Sequence, residues 1–276
     1  MTDGAFRGHA AVVTGASSGI GRAIASNLAV EGADLCLVAA PQAGADLEDA
    51  AAEMTAAGVR AITIAADVGE PETAERAVDE TLHAFGRLDH LASNAGVAYF
   101  DQALLEPLEH FDHTMRVNVR GMYLMTHAAA RAMAERGGGT IVCTASTASI
   151  AGEEHQVAYN ASKGAVSQLA RSLAIDLAPY GIRVNAVAPG WVRTPLTTEI
   201  LADDAEWAKH RSHIPLDRPA EPDEIANVVA FLLGDGSSYV TGSLLVADGG
   251  MTAGFRFSDW SAASQPLAPR DRRTLP

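Results

Sequence analysis

One alternation runs along almost the whole of this chain: a short apolar, β-prone run, then a longer Ala-rich stretch. The short runs stand at residues 10 to 14 (AAVVT), 33 to 38, 60 to 65, 88 to 92, 140 to 144, 181 to 188 and 243 to 247. They show little polar alternation, which is how strands buried on both faces of a parallel sheet are written. Helices are expected near 20 to 31, 45 to 57, 71 to 84, 104 to 135, 157 to 178 and 222 to 233, each long enough for a crossover. Such an order, closed by right-handed crossovers, predicts an α/β fold of Rossmann type: a doubly wound, seven-stranded parallel sheet with helices on both faces. Gly32, Gly58 and Gly86 fall where left-handed helix caps belong, and Pro71 and Pro222 stand at helix starts. No fixed-period repeat or flexible linker divides the chain, so residues 1 to 276 read as a single domain. Residues 194 to 220 interrupt the alternation after a strand end, where a substrate lid is expected. Residues 252 to 276 form a C-terminal arm, in which Phe255, Phe257 and Trp260 argue for packing.

Charge narrows the partners. With 34 Asp and Glu against 20 Lys and Arg, the net charge is -14, which repels phosphate backbones and anionic lipid. Nucleic acid and membrane are therefore not expected as partners. The two cysteines, Cys36 and Cys143, lie in apolar runs and read as free thiols, which suits a reducing cytoplasm. No secretory leader or membrane-length apolar run is recognised.

The first strand runs directly into Thr14, Gly15, Ala16, Ser17, Ser18, Gly19, Ile20 and Gly21, and then a helix. Glycines at this turn let backbone N–H groups and the positive helix end approach a pyrophosphate. Their spacing matches the TGxxxGxG motif, and the chain resembles the short-chain dehydrogenase/reductase family. Further motifs carry the resemblance over residues 8 to 250. Tyr159 to Lys163 read as YxxxK, Ser146 stands thirteen residues upstream, and Asn94, Ala95 and Gly96 read as NAG. Asn118 falls at the family's fourth catalytic position, Asp67 and Val68 follow the third strand, and Pro189, Gly190, Val192 and Thr194 follow the sixth. The resemblance implies that the domain is a dinucleotide-binding oxidoreductase in which these residues, with the glycine turn, hold the cofactor. It also implies that Asp67 reaches the adenine with Val68 nearby, Lys163 holds the nicotinamide ribose, and Asn118 anchors a proton-relay water. A homo-oligomer, a tetramer built on the helices at 104 to 135 and 157 to 178, is expected on the same ground. Ser93 replaces a second asparagine found in many members.

The chemistry is also readable without the resemblance. Tyr159 and Lys163 are four apart on a predicted helix and share a face. A phenol with an ordinary pKa of about 10 exchanges protons poorly at neutral pH, and a nearby ammonium together with a nicotinamide cation should lower it. Tyr159 is then the general acid/base and Ser146 polarises the substrate oxygen. The second strand ends Val38, Ala39, Ala40, Pro41, with neither an acid for the ribose hydroxyls nor a base for a 2′-phosphate, and Ser18 is not basic either. Burying a phosphate without a cation is the costlier mismatch, so NAD is favoured over NADP.

The run Glu153, Glu154, His155, Gln156 leads up to Tyr159; it either bonds a hydroxylated substrate or simply faces solvent, with Glu154 and His155 as the candidate contacts. Trp191 is either a substrate wall or core packing. No metal is expected, because three adjacent side chains converge poorly on one ion. The expected function is interconversion of a secondary alcohol and a ketone on a small polar, hydroxylated substrate. The alternatives are a 3-oxoacyl-thioester (acyl carrier protein) reductase and a non-catalytic cofactor-sensing regulator.

Overall fold

In the computed structural model, which describes residues 4–254, seven parallel strands make one sheet. They are β1 (Ala10–Thr14), β2 (Asp34–Ala39), β3 (Ala61–Ala65), β4 (His90–Ser93), β5 (Gly139–Thr144), β6 (Ile182–Pro189) and β7 (Leu244–Ala247). Their order is β3-β2-β1-β4-β5-β6-β7. The winding reverses between β1 and β4, which leaves a crevice at the carboxyl ends of those strands, where doubly wound sheets bind ligands.

The strand pleat sorts the core into two layers. Ala11 and Val13 of β1 join Leu35 and Leu37 of β2 on one face, while Val12 and Cys36 turn to the other. The first face is covered by α1 (Gly19–Val30), α2 (Gly44–Ala56) and α9 (Pro222–Leu233), through Ile24, Leu28, Leu47, Met54, Val229 and Leu232. The second is covered by α3 (Pro71–Phe85), α5 (Met122–Glu135) and α6 (Val157–Leu177), through Val78, Met125, Met133 and Val166. Each fully buried aliphatic side chain contributes about 1.5–3 kcal/mol, so this double layer fixes the strand ends firmly. Gly32, Gly58 and Gly86 all adopt positive φ, at 94°, 99° and 76°, and stop their helices as expected.

Two regions depart from the expected elements. The stretch 104 to 135 is not one helix: Leu104 and Leu105 are exposed in a turn, and α4 (Leu108–Met115) begins only after Pro107. A wide π-helical turn, Arg116–Gly121, then separates α4 from α5. At its end a Cβ on Gly121 would come within 2.8 Å of Val68 Cγ2, so the glycine permits close packing against the segment after β3. Residues 194 to 220 contain two short helices, α7 (Thr198–Ala202) and α8 (Asp204–Arg211), the latter capped by the Asp203 side chain. A bridge between Val192 and Ala220 closes the base of this insertion. Phe255, Phe257 and Trp260 of the expected arm lie outside the described residues. No described helix is long and apolar enough to cross a membrane.

Candidate active site

The carboxyl ends of the strands open into a cleft of about 600 Å³. Gly15, Ser17, Ser18, Gly19 and Ile20 line one side, and Gly15 and Gly19 adopt positive φ, 67° and 52°. Gly21 stands behind them: a Cβ there would overlap the Gly15 carbonyl oxygen, so α1 can begin this close to β1 only with glycine. Thr14, buried at the end of β1, ties the neighbouring strand in place. Its hydroxyl accepts the Asn94 and Ala95 N–H groups at 2.9 and 3.0 Å. Asn94 in turn accepts a hydrogen bond from Thr144 at 3.1 Å. These contacts make the turn after β4 a fixed wall beside the glycine loop.

Ala39, Ala40, Pro41 and Gln42 line the outer end of the cleft, with Asp67 and Val68 nearby. The Asp67 carboxylate accepts from the Gly69 N–H at 2.8 Å and pairs with Arg116 at 2.8 Å. Partial burial works against its charge, but these two partners outweigh it and hold the carboxyl below its usual range. Pro189, Gly190, Val192 and Thr194 form the far wall. A Cβ on Gly190 would meet Asp248 Cα at 2.9 Å, so this glycine lets β6 end against the segment after β7. Arg22 turns aside and pairs with Glu53.

At the inner end stand Ser146, Tyr159 and Lys163. Lys163 is 4% exposed, and its ammonium donates to the Thr144 carbonyl at 2.8 Å. An ammonium carries three donors, so two are left beyond this bond. A Cβ on Gly96 would come within 3.3 Å of this nitrogen, which makes Gly96 the residue that leaves room around it. Lys163 Nζ lies 5.5 Å from the Tyr159 ring centroid. Burial lowers the Lys163 ammonium to about 8. The phenol goes the other way, up to about 12: burial raises it, the Ser146 hydroxyl pulls it back, and the Glu153 carboxylate raises it further. The protein's own groups therefore do not make Tyr159 acidic; the lowering is expected of the ammonium and a nicotinamide cation together. Near neutral pH the Lys163 ammonium still keeps its proton, and a cation brought into the cleft would add to its pull on the phenol.

Asn118 sits in the π-helical turn and is 1% exposed. Its amide hydrogens go to the Val97 carbonyl and the Ser162 hydroxyl, both at 2.9 Å, and its oxygen accepts from the Val97 N–H at 2.8 Å. This side chain pins the loop after β4 to α6 and leaves one acceptor position for the expected water. Ser162 continues the link to the Tyr159 carbonyl at 2.8 Å.

The candidate substrate contacts are redistributed. Glu154 and His155 are exposed at the tip of a tight turn, with His155 at φ 60°, and do not line the cavities of the active site. The turn directs its outer residues inward instead: Glu153 and Gln156 line a recess of about 60 Å³ beside Ser146 and Tyr159. Trp191 lines the same recess and is also 8% exposed, so wall and packing roles coincide in one residue. Its ring packs against His210 of α8 at 4.2 Å and Trp207 at 6.2 Å between centroids. Sequence reasoning did not single out Thr144, His113 or Thr197 for the cleft, because isolated threonines and histidines carry no spacing signal.

A glycine-lined crevice ending in a Ser–Tyr–Lys group at the carboxyl ends of a parallel sheet defines an oxidoreductase of the Rossmann class. A family model described as enoyl-(acyl carrier protein) reductase matches residues 15–252. Over 247 residues the chain is 39% identical to an L-rhamnose 1-dehydrogenase (NAD(P)(+)) of Sphingomonas sp., covering 89% of this chain and 97% of the relative. It is 37% identical over 242 residues to an NAD-dependent glycerol dehydrogenase of Listeria innocua, covering 88% and 93%. A crystal structure of a putative NAD(P)-dependent gluconate 5-dehydrogenase from Beutenbergia cavernae, with NADP bound at low occupancy, superposes with a TM-score of 0.85. Its identity is 37%, over 91% of this chain and all of that one. The chain belongs to the short-chain dehydrogenase/reductase family. It is an NAD(P)-dependent enzyme of the alcohol dehydrogenase and carbonyl reductase type.

Proposed function

We propose that this enzyme oxidises a small, neutral, hydroxylated secondary alcohol, or reduces the matching ketone, and prefers NAD(H) to NADP(H). The observation that carries the reading is the placement of Ser146, Tyr159 and Lys163 together at the inner end of the glycine-lined cleft. The cleft fits a dinucleotide: Gly15, Gly19 and Gly21 leave no side chain in the phosphate path, and Lys163 has donors to spare for ribose hydroxyls. Once bound, a nicotinamide supplies the hydride acceptor or donor. Ser146 holds the substrate oxygen, Tyr159 exchanges a proton with it, and Asn118 keeps α6 and the loop after β4 in register.

Preference for NAD rests on the outer end of the cleft, where Ala39, Ala40, Pro41, Gln42 and Ser18 bring no cation to a 2′-phosphate. Relatives named for rhamnose, glucose and glycerol support a polyol or sugar. The acyl-carrier reading is disfavoured by the Glu153 carboxylate beside Tyr159 and by the net charge of -14, which suit an acidic carrier poorly. We read the whole chain as one domain, residues 194 to 220 as the substrate lid, and the working form as a cytoplasmic homotetramer.

The test is absorbance at 340 nm with NAD and NADP against L-rhamnose, D-glucose, glycerol and gluconate. Turnover of a neutral polyol, faster with NAD, is expected. Tight cofactor binding without turnover of any substrate points instead to a cofactor sensor, and light scattering of the purified enzyme reads the assembly mass.

A further inference from the structure

The recess beside Tyr159 has one polar edge and one apolar edge, and the polar edge is built to hold a carboxylate still. The Thr147 hydroxyl donates to Glu153 Oε1 at 3.0 Å, and Gln156 Nε2 donates to Glu153 Oε2 at 3.1 Å. Both clamps are buried, Thr147 at 3% and Gln156 at 7% exposure. Asn160 Nδ2 donates to the Glu153 carbonyl at 2.7 Å, so the backbone is fixed as well. A carboxylate accepts about four hydrogen bonds, and these clamps use two. The acceptor positions that remain belong to a residue lining the recess that Ser146 and Tyr159 also line.

No lysine or arginine lines this recess among the described residues. His210 packs at a tilt against Trp191; burial lowers its pKa more than Glu153, Glu206 and Glu154 raise it, so near neutral pH it brings little positive charge. The same recess is lined by the apolar side chains of Trp191, Phe100 and Leu196. A ligand that suits both edges carries C–H surface on one side and hydroxyl donors on the other. An anion is repelled, and a plain ketone or mono-alcohol leaves the acceptors without donors, which is costly in a semi-dry site.

We infer that Glu153 is the specificity-determining residue of this enzyme: its clamped carboxylate accepts a hydrogen bond from a hydroxyl next to the reacting carbon, selecting neutral diols and polyols. The inference rests on the proposed alcohol dehydrogenase function and deepens it. Burial is the main reason the Tyr159 phenol is raised, and Glu153 adds to it, so the carboxylate charge is felt at the proton-exchanging group as well. Lys163, from α6 itself, has its ammonium 5.5 Å from the centre of that ring.

The experiment compares wild type, Glu153→Gln and Glu153→Asp with NAD on three probes: 2,3-butanediol, 2-butanol and 3-hydroxybutyrate. Wild type should favour the diol over the mono-alcohol by about tenfold or more in kcat/KM. In Glu153→Gln that ratio should fall toward one, mostly through KM for the diol, while 3-hydroxybutyrate gains relative to the neutral probes. The rising limb of the pH–rate profile should also move to lower pH, a shift that a merely structural role does not produce. Glu153→Asp keeps the charge but withdraws it, and should give an intermediate ratio with the limb near its wild-type position. Melting temperature and NADH affinity within twofold of wild type establish that each variant is folded; should Glu153→Gln not fold, the ratio in Glu153→Asp decides. An unchanged diol preference and pH limb in a folded Glu153→Gln overturns the assignment of Glu153 and leaves the proposed function standing. So does a wild-type ratio near one. No turnover of any probe by wild type overturns the proposed function, and the inference with it.

Discussion

At the edge where the strands begin, His9 and His90 share a hydrogen bond of 2.9 Å. His90 also bonds Thr140 at 2.6 Å, and Thr140 donates onward to the Leu233 carbonyl at 3.0 Å. With the threonine proton committed to Leu233, His90 Nδ1 is the donor to Thr140 and His90 Nε2 accepts from His9. Beside it Asp89 takes two bonds from Arg87 at 2.7 Å and one from the Ala10 N–H at 2.8 Å. Arg183 donates to the carbonyls of Leu232, Leu233, Gly234 and Val240. At the opposite edge, where the strands end, Lys163 is as deeply buried but spends one bond on Thr144. Tyr159 lies against it with its pKa driven up by burial. The same sheet thus closes its polar network at one end and leaves it open at the other. Closure is what stability requires, because a buried polar group without a partner costs about 1–3 kcal/mol. An open network persists where a ligand is to complete it.

The comparison breaks most sharply at Tyr159. Tyr159→Phe should lower kcat by about 10³-fold, within the usual range for loss of a general acid/base, and leave urea unfolding close to wild type. Unaltered rates in the 340 nm assay would sink the catalytic reading. At the other edge the signs exchange: Arg183→Met strips donors from four carbonyls and should cost about 2–3 kcal/mol of unfolding free energy, with little change in kcat per folded enzyme.

Acid sharpens the contrast at smaller scale. Burial, with His9 second, pushes His90 down to about 3. The unfolded chain therefore binds a proton between the ordinary histidine value of about 6.5 and that lower one, while the native protein does not. This contribution is fully present above pH 6.5 and is lost as pH falls toward 3. It should amount to about 1 kcal/mol for each pH unit, and His90→Gln should flatten that slope in unfolding measured from pH 7 to 5. The smallest effect is the most telling about the open end. Lys163→Met removes a buried charge that one carbonyl satisfies, and should raise cofactor-free stability by about 1 kcal/mol while weakening NADH binding and turnover. A loss of stability there would mean that the open end is as closed as the other.

Much of the fold was legible in advance because burial on both faces writes itself as continuous apolarity: β1 to β7 each fall within one or two residues of the expected runs. The helical stretch 104 to 135 was less legible. Its break at Pro107 follows from proline's missing N–H, but the π-helical turn, whose Gly121 packs close to Val68 from another part of the chain, carries no local signal. In the site, Ser146, Tyr159 and Lys163 were readable because a four-residue spacing on a helix and a strand end fix their meeting. The turn at 153 to 156 was not. Which of four consecutive polar residues faces the recess depends on the left-handed backbone at His155 and on the positions of Thr147 and Asn160.

Sequence alone therefore determined the parallel sheet, the glycine turn after β1 and the meeting of Tyr159 with Lys163, since each follows from local periodicity or from spacing along one element. Tertiary structure decided the direction of the Tyr159 pKa, the engagement of Asn118, and the inward turn of Glu153 rather than Glu154. All three depend on desolvation and on partners brought together from distant segments, and those are properties of a packed interior.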